Sequence, residues 1–248
     1  MRHKKLTKFF VLCAVAGLAL LVTASALAWT VTMTAQPKLK RTYSWKIEKS
    51  ASTNAVTLKP GETTDVTYTV IATPTGTIDS DWSVSGHVKM AEELFNQPGD
   101  PPSPIVAWVT VTVQPDALVA PVECVPVPFP VDLDTNSLEC DYASPLPDAS
   151  GPRDAWMRAR QINNGAFRNV HTPFDFINPN VDLVDESVTV TDSMAGVLGT
   201  ANGADGAKTF TYTKTVGPYT AEECGTKRID NTATYLTVDS AATGSASA

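Results

Sequence analysis

KPGETTDVTYTV, Lys59 to Val70, is the stretch that decides the fold class. Lys59-Pro60-Gly61-Glu62 is a turn signal: proline presets its own φ, and glycine can turn left-handed without a Cβ clash. After the turn, Val66, Tyr68 and Val70 fall on one side and Thr67 and Thr69 on the other. That period of two, written in β-branched and aromatic residues, belongs to a strand with one face in a core and one in water. The same alternation recurs in both directions. Tyr43, Trp45, Ile47 and Lys49 share a face before the turn, and Trp82, Val84 and Val88 line up beyond it. Ile105, Ala107, Val109, Val111 and Val113 oppose Trp108, Thr110 and Thr112, and Phe210 and Tyr212 alternate with Thr209, Thr211 and Thr213. No stretch carries a helical period, so the sequence predicts an all-β chain of antiparallel strands.

Breaks are legible too. Gln97 to Pro104 and Leu146 to Arg153 read as Pro-rich loops, Asn178-Pro179-Asn180 as a turn, and Asn202 to Gly206 as a hairpin tip. Two stretches share a frame: RQINNGAF, Arg160 to Phe167, and KRIDNTAT, Lys227 to Thr234. Each follows a tyrosine (Tyr142, Tyr212) and a Val-Thr-Val segment (Val111 to Val113, Val188 to Val190), the pattern of an internal repeat. Stacked β units of this kind serve more often as scaffolds or binding surfaces than as active sites.

The N-terminus reads as an address. Arg2, Lys4, Lys5 and Lys8 precede an apolar run from Val11 to Val22, and Ala26-Leu27-Ala28 forms a small-x-small cleavage site before Trp29. This is the plan of a secretory signal peptide; the competing reading, an uncleaved anchor, is disfavoured by Thr23 and Ser25, which make a polar c-region. Removing residues 1–28 takes four basic side chains and no acidic ones, moving the formal charge from −7 to −11. An acidic chain lacks the basic patch that nucleic acid or an anionic membrane requires. The expected partners are extracellular or cell-surface proteins or glycans, with no membrane insertion after cleavage, in a location outside the cell or at its surface.

Three cysteines follow the cleavage site. In an oxidising compartment Cys124 and Cys140 are expected to pair across adjacent strands. The odd count leaves Cys224 free, bridged to another chain, or competing for either partner.

The order Trp45-Lys-Ile-Glu-Lys49, KPGETTDVTYTV, DSDWSVSG, VTVTDS, and Asn231-Thr-Ala resembles the Asn-Thr-Ala-type repeat domains of unknown function in secreted and surface proteins of bacteria and archaea, over roughly residues 42–240. The resemblance implies immunoglobulin-like or transthyretin-like β-sandwich modules used as a surface stalk, coat or adhesin. The expected organisation is a signal peptide (1–28), a linker (29–41), a first module (42–178), a second, shorter module (179–240) and a flexible tail (241–248).

Catalytic chemistry is poorly represented. Beyond the signal peptide only His87 and His171 remain; His87 falls on the wet face of a strand and His171 in a turn-like stretch. Neither a Gly-x-Ser-x-Gly elbow nor a His-Glu-x-x-His helix accompanies them, so no enzyme is expected. Asp132, Asp134 and Asn136 have the first three spacings of a calcium loop. Ser137 and Ala143 stand where such a loop needs Gly and Glu, which favours a solvated acidic loop with no metal or other cofactor. Trp108 shares the threonine face of its strand and is a candidate platform for a sugar ring, or for packing against a neighbouring element.

Lys49 shares the face of Trp45 and Ile47. In collagen-adhesin stalk domains a first-strand lysine attacks an asparagine on the last strand with help from a buried acid, and Asn164 and Asn231 are the candidate acceptors here. The chemistry requires a neutral amine beside a protonated acid. Asp65 faces outward with Thr67, and Asp116 and Asp192 stand at strand ends, so no inward acid is evident. The expectation is therefore no isopeptide bond, with Lys49 reaching solvent at the end of its strand and the asparagines capping strand ends.

Overall fold

The structure, a computed structural model, describes residues 29–92, 105–133, 137–162 and 165–248. The signal peptide and the Gln97 to Pro104 loop lie outside them, as do Asp134, Asn136 and Asn164.

The described chain is all-β. Its largest sheet is built on two long strands, β2 (Gln36–Ala51) and β3 (Thr64–Glu92), which form an antiparallel hairpin around the Lys59 to Glu62 turn. β1 (Trp29–Met33) pairs with the far end of β3. The expected linker at 29–41 is thus strand, because its Thr- and Lys-rich sequence alternates as strictly as its neighbours.

A second sheet is formed by β4 (Ile105–Gln114), β5 (Leu118–Ala120) and β7 (Val131–Asp132), together with β9 (Arg153–Gln161) and β10 (Phe167–Phe174), in the order β10-β9-β4-β5 with β7 also on β4. Between these in sequence, β6 (Val122–Val125) and β8 (Leu138–Pro145) return to the large sheet beside β3. β11 (Asn180–Val184) adds to β2 in parallel. A third sheet then contains β12 (Ser187–Asp192), β13 (Gly196–Asn202), β15 (Thr232–Thr237) and β16 (Thr243–Ser247), in the order β16-β15-β12-β13, while β14 (Lys208–Val216) joins the large sheet against β3. Asn202 to Gly206 is accordingly a crossover between sheets through a short 3-10 turn, and not a hairpin tip.

The second and third sheets match in design. In each, a strand with the Val-Thr-Val segment forms a hairpin, the chain visits the large sheet with a tyrosine strand (β8, β14), and two further strands complete the order. The shared Arg160 and Lys227 frame is not part of this equivalence. Arg160 to Phe167 closes β9 and opens β10, whereas Lys227 to Asn231 leads into β15. The end of β12 opposes Ala233 at the start of β15, and the end of β4 opposes Asp154 at the start of β9, so the counterpart of Asn231 lies near Arg153.

Buried apolar residues form two clusters. One joins Val84, Val88 and Met90 of β3 to Val111, Val113, Leu138, Tyr142 and Met157. The other joins Trp45 and Ile47 of β2 and Val70 and Ala72 of β3 to Val188, Val190, Ala201 and Ala233. The segment from Trp45 to Ala72, expected with residues up to 178, packs instead against the C-terminal strands. Alternation tells which face a residue occupies but not which sheet will cover it. The expected flexible tail is β16: Ser247 Oγ meets Thr232 Oγ1 at 2.8 Å, and the Ala248 amide donates to the Asn231 carbonyl at 3.0 Å.

Candidate functional site

Four strands, β2, β3, β12 and β14, converge around Lys49 with the segments after β12 and before β15. On β2 the inward parity of Trp45 and Ile47 continues to Lys49, whose side chain is fully buried, so it does not reach solvent as expected. Its backbone partner is Val70, and beside it Tyr68 stacks on its cross-strand partner Tyr212 of β14 with ring centroids 5.2 Å apart. The ammonium lies 5.2 Å from the Tyr68 ring centre and 5.8 Å from that of Tyr212, within cation–π range. Opposite stands Asp192, the last residue of β12. Val188, Val190 and Asp192 share one parity, and the Asp192 side chain is as fully buried as that of Lys49. The acid judged missing is therefore present, because a strand's terminal residue still obeys the alternation when the next sheet covers it.

Lys49 Nζ donates to Asp192 Oδ2 in a short ion pair. Asp192 Oδ1 accepts from the Tyr212 hydroxyl at 2.7 Å and from the amides of Met194 and Ala195 at 2.9 and 3.2 Å. Burial pushes this carboxyl upward, but hydrogen bonds from Lys49, Met194 and Tyr212 outweigh it and hold the group below the usual carboxylate range. Burial also raises Tyr212 to about 12, helped by the neighbouring carboxylate, so it remains a neutral donor.

Asn231, completely buried just before β15, closes the group. Its Nδ2 donates to the Tyr212 hydroxyl at 2.5 Å, and its Oδ1 accepts from Ser193 Oγ at 3.0 Å. Tyr212 Oη thus touches the amine (3.3 Å), the carboxylate and the amide at once. The fold brings the candidate acceptor Asn231 to Lys49, and Asn164 lies outside the described residues. In the sequence Asp192 is set aside as a strand-end residue and neither Tyr212 nor Ser193 is named as a site residue, although the parities of β12 and β14 contain Asp192 and Tyr212.

The other expected sites are dispersed. Cys124 and Cys140 are directly opposed on β6 and β8 and form a disulfide, and Cys224 is a free, exposed thiol. At the turn-side end of β4 and β9, buried Arg153 binds Asp116 and Asp148 at 2.8 Å each and donates to the Ser150 carbonyl. The Ser150 hydroxyl and Arg153 together hold Asp148 at about 2.

Trp108 does face outward, but not by the expected register. A bulge between Val106 and Trp108 puts Val106 in the core and removes Ile105 and Ala107 from the expected face. Trp108 is half-buried, its ring 6.0 Å from that of Phe167. Along the same outward face, Arg158 covers Phe167 at 3.9 Å and Trp156 stacks on His171 at 4.6 Å. His171 is a strand residue on β10, not part of a turn, and its Nδ1 lies 3.2 Å from Asp154. Half-buried His87 pairs with Asp141 at 2.9 Å. Asp132 lies on β7, and no group of three or more potential metal-binding side chains occurs among the described residues. No helix there is long and apolar enough to cross a membrane.

The chain matches no protein-family model, and no curated protein matches it.

Proposed function

We propose that this chain is a secreted, non-catalytic structural or adhesive element of the cell surface or its surroundings, built as two sandwich-like units of the immunoglobulin or transthyretin kind. The observation that carries the reading is β3: one 29-residue strand lines both hydrophobic clusters, Val70 and Ala72 in one and Val84 to Met90 in the other. Two units sharing a strand cannot swing apart without breaking its backbone ladder, which suits a spacer or stalk. The disulfide fits an oxidising compartment, and the signal-peptide pattern gives the route there. The resemblance to surface repeat domains points the same way. Surface labelling of intact source cells with an antibody tests it, with culture medium and lysate as parallel fractions. Recovery at the surface or in the medium, starting at Trp29, is expected; retention in the lysate with residues 1–28 intact overturns it.

A glycan-binding role is the second reading, favoured by the outward face of β4, β9 and β10. Strand register sets Trp108, Arg160 and Phe167 in one row and Thr112, Trp156 and His171 in another. Trp156 is 40% exposed, and aromatic and guanidinium groups in rows are suited to stacking and hydrogen bonding on sugars. Saturable quenching of tryptophan fluorescence by a polysaccharide, lost in Trp156→Ala, supports this role; no change across a glycan panel removes it.

A further inference from the structure

We infer that Lys49 and Asn231 become joined by an intramolecular amide bond, formed by the protein itself with Asp192 as proton acceptor, Tyr212 as proton relay and Ser193 as the donor to the developing oxyanion. The inference is independent of where the chain resides or what it binds.

The first ground is enclosure. The Lys49 and Asp192 side chains have no solvent exposure, and neither does Asn231. Hydrogen bonds keep Asp192 ionised at rest, but the desolvation cost of a buried ion pair offsets part of the cost of moving one proton from Lys49 to Asp192, which gives a neutral amine and a neutral acid. A neutral amine is a nucleophile and an ammonium is not.

The second ground is placement. Lys49 Nζ and Asn231 Nδ2 both contact one atom, Tyr212 Oη, at 3.3 and 2.5 Å, which caps the separation of the two nitrogens at the sum of those distances. The amide carbon is bonded to the second nitrogen, so nucleophile and electrophile are neighbours without substrate binding, the condition under which effective molarities become very large. The backbone fixes both partners: Lys49 through its ladder with Val70, and Asn231 through its carbonyl, which accepts from Ala248.

The third ground is that each proton and charge has a recipient. The Lys49 ammonium gives a proton to Asp192 Oδ2, its hydrogen-bond partner. The Nζ lone pair forms a bond to Asn231 Cγ while the carbonyl electrons move onto Oδ1, where Ser193 Oγ–H already donates at 3.0 Å. The proton on Asp192 passes through the Tyr212 hydroxyl, which lies 2.7 Å from Asp192 Oδ1, to Nδ2. A second proton leaves Nζ for Asp192, the carbonyl re-forms, and the Cγ–Nδ2 bond breaks to release ammonia. Ammonia departs as ammonium with the proton held by Asp192. The net change converts one ammonium and one primary amide into one secondary amide and one ammonium ion, with no oxidant, metal or added energy source.

Among the described residues the arrangement occurs in this half. The corresponding end of the other half has Arg153 between two carboxylates, and a guanidinium with those partners has no amide to attack.

Intact-mass measurement of the folded, secreted chain after disulfide reduction decides the matter, with peptide sequencing of a digest. The expected result is a mass one ammonia below that required by the observed N-terminus, and a branched peptide joining Lys49 to Asn231. Lys49→Arg and Asp192→Asn are expected at full sequence mass. A folded wild-type chain at full mass overturns the inference, as does an ammonia loss that maps to a succinimide at an asparagine. The same deficit in Lys49→Arg also overturns it, and the deficit in Asp192→Asn removes Asp192 from its role. The wild-type branched peptide needs no variant to fold, so a misfolded variant does not blunt the test.

Discussion

The two hydrophobic clusters are closed off in opposite ways. Around Val84, Met90 and Met157, the reinforcements stay within a sheet or at its edge: the Cys124–Cys140 disulfide, with Cys140 itself in the core, links two neighbouring strands of one sheet, and buried Arg153 reaches out to Asp148, whose side chain is 51% exposed. Around Val70, Val188 and Ala233, the polar group is sealed inside and spans both sheets, with Lys49 and Tyr212 on one and Asp192 on the other. A tie within one sheet limits the unfolded chain without resisting separation of the layers, while a buried tie between sheets resists separation directly. The difference teaches that one topology, used twice, can be fastened by a tie between neighbouring strands of one sheet or by a sealed polar group that spans two sheets.

Removing one member of the sealed group tests this contrast most severely. Asp192→Ala leaves the Lys49 charge buried without its partner and is expected to cost about 3–5 kcal/mol in denaturant unfolding. The double variant Lys49→Met with Asp192→Leu should recover much of that loss, since the uncompensated charge is gone. A double variant as unstable as the single one would mean that the site contributes more than charge pairing.

Reducing the disulfide should cost about 3 kcal/mol in the chain-entropy treatment of a loop of this length. Hydrogen exchange locates the loss, which is expected on β6, β8 and the adjoining part of β3, with β12 and β15 unaffected. Equal loss of protection in both halves would break the comparison by showing a single cooperative unit.

Two glycines give a smaller, paired test. A Cβ at Gly86 would stand 1.9 Å from the Thr34 carbonyl oxygen, and one at Gly244 would stand 2.5 Å from the Tyr235 ring. Overpacking of this kind costs about 1–3 kcal/mol. Gly86→Ala should be the more damaging in thermal unfolding because it strikes backbone, whereas the Tyr235 ring can give way at the expense of its hydrogen bond to the Trp45 carbonyl.

The smallest effect is a pH dependence. Asp148 is held at about 2, below its ordinary 3.8, so its contribution is complete above the ordinary value and is lost as pH falls through about 2. Asp148→Asn should flatten the stability profile slightly between those limits, measured by urea unfolding at fixed low ionic strength. Its partial exposure keeps the change modest, and an unaltered profile would show that Arg153 is held by Asp116 alone.

The sequence by itself determined the β class, the inward faces of Trp45, Val66, Tyr68 and Val70, and the Cys124–Cys140 pair, because these depend on alternation and on short spacing. It also held the inward parity of Lys49 and Asp192. Only the tertiary structure decided that the two parities meet, that Asn231 stands beside them, and that residues 45–72 pack with the C-terminal strands. It alone revealed the bulge that puts Val106 inward and the pairing that turns the small-residue tail into β16. The physical reason is that side-chain parity is a local property of one strand, fixed by backbone geometry. Which strands cover one another is a long-range choice, settled by the burial of two whole sheet faces together.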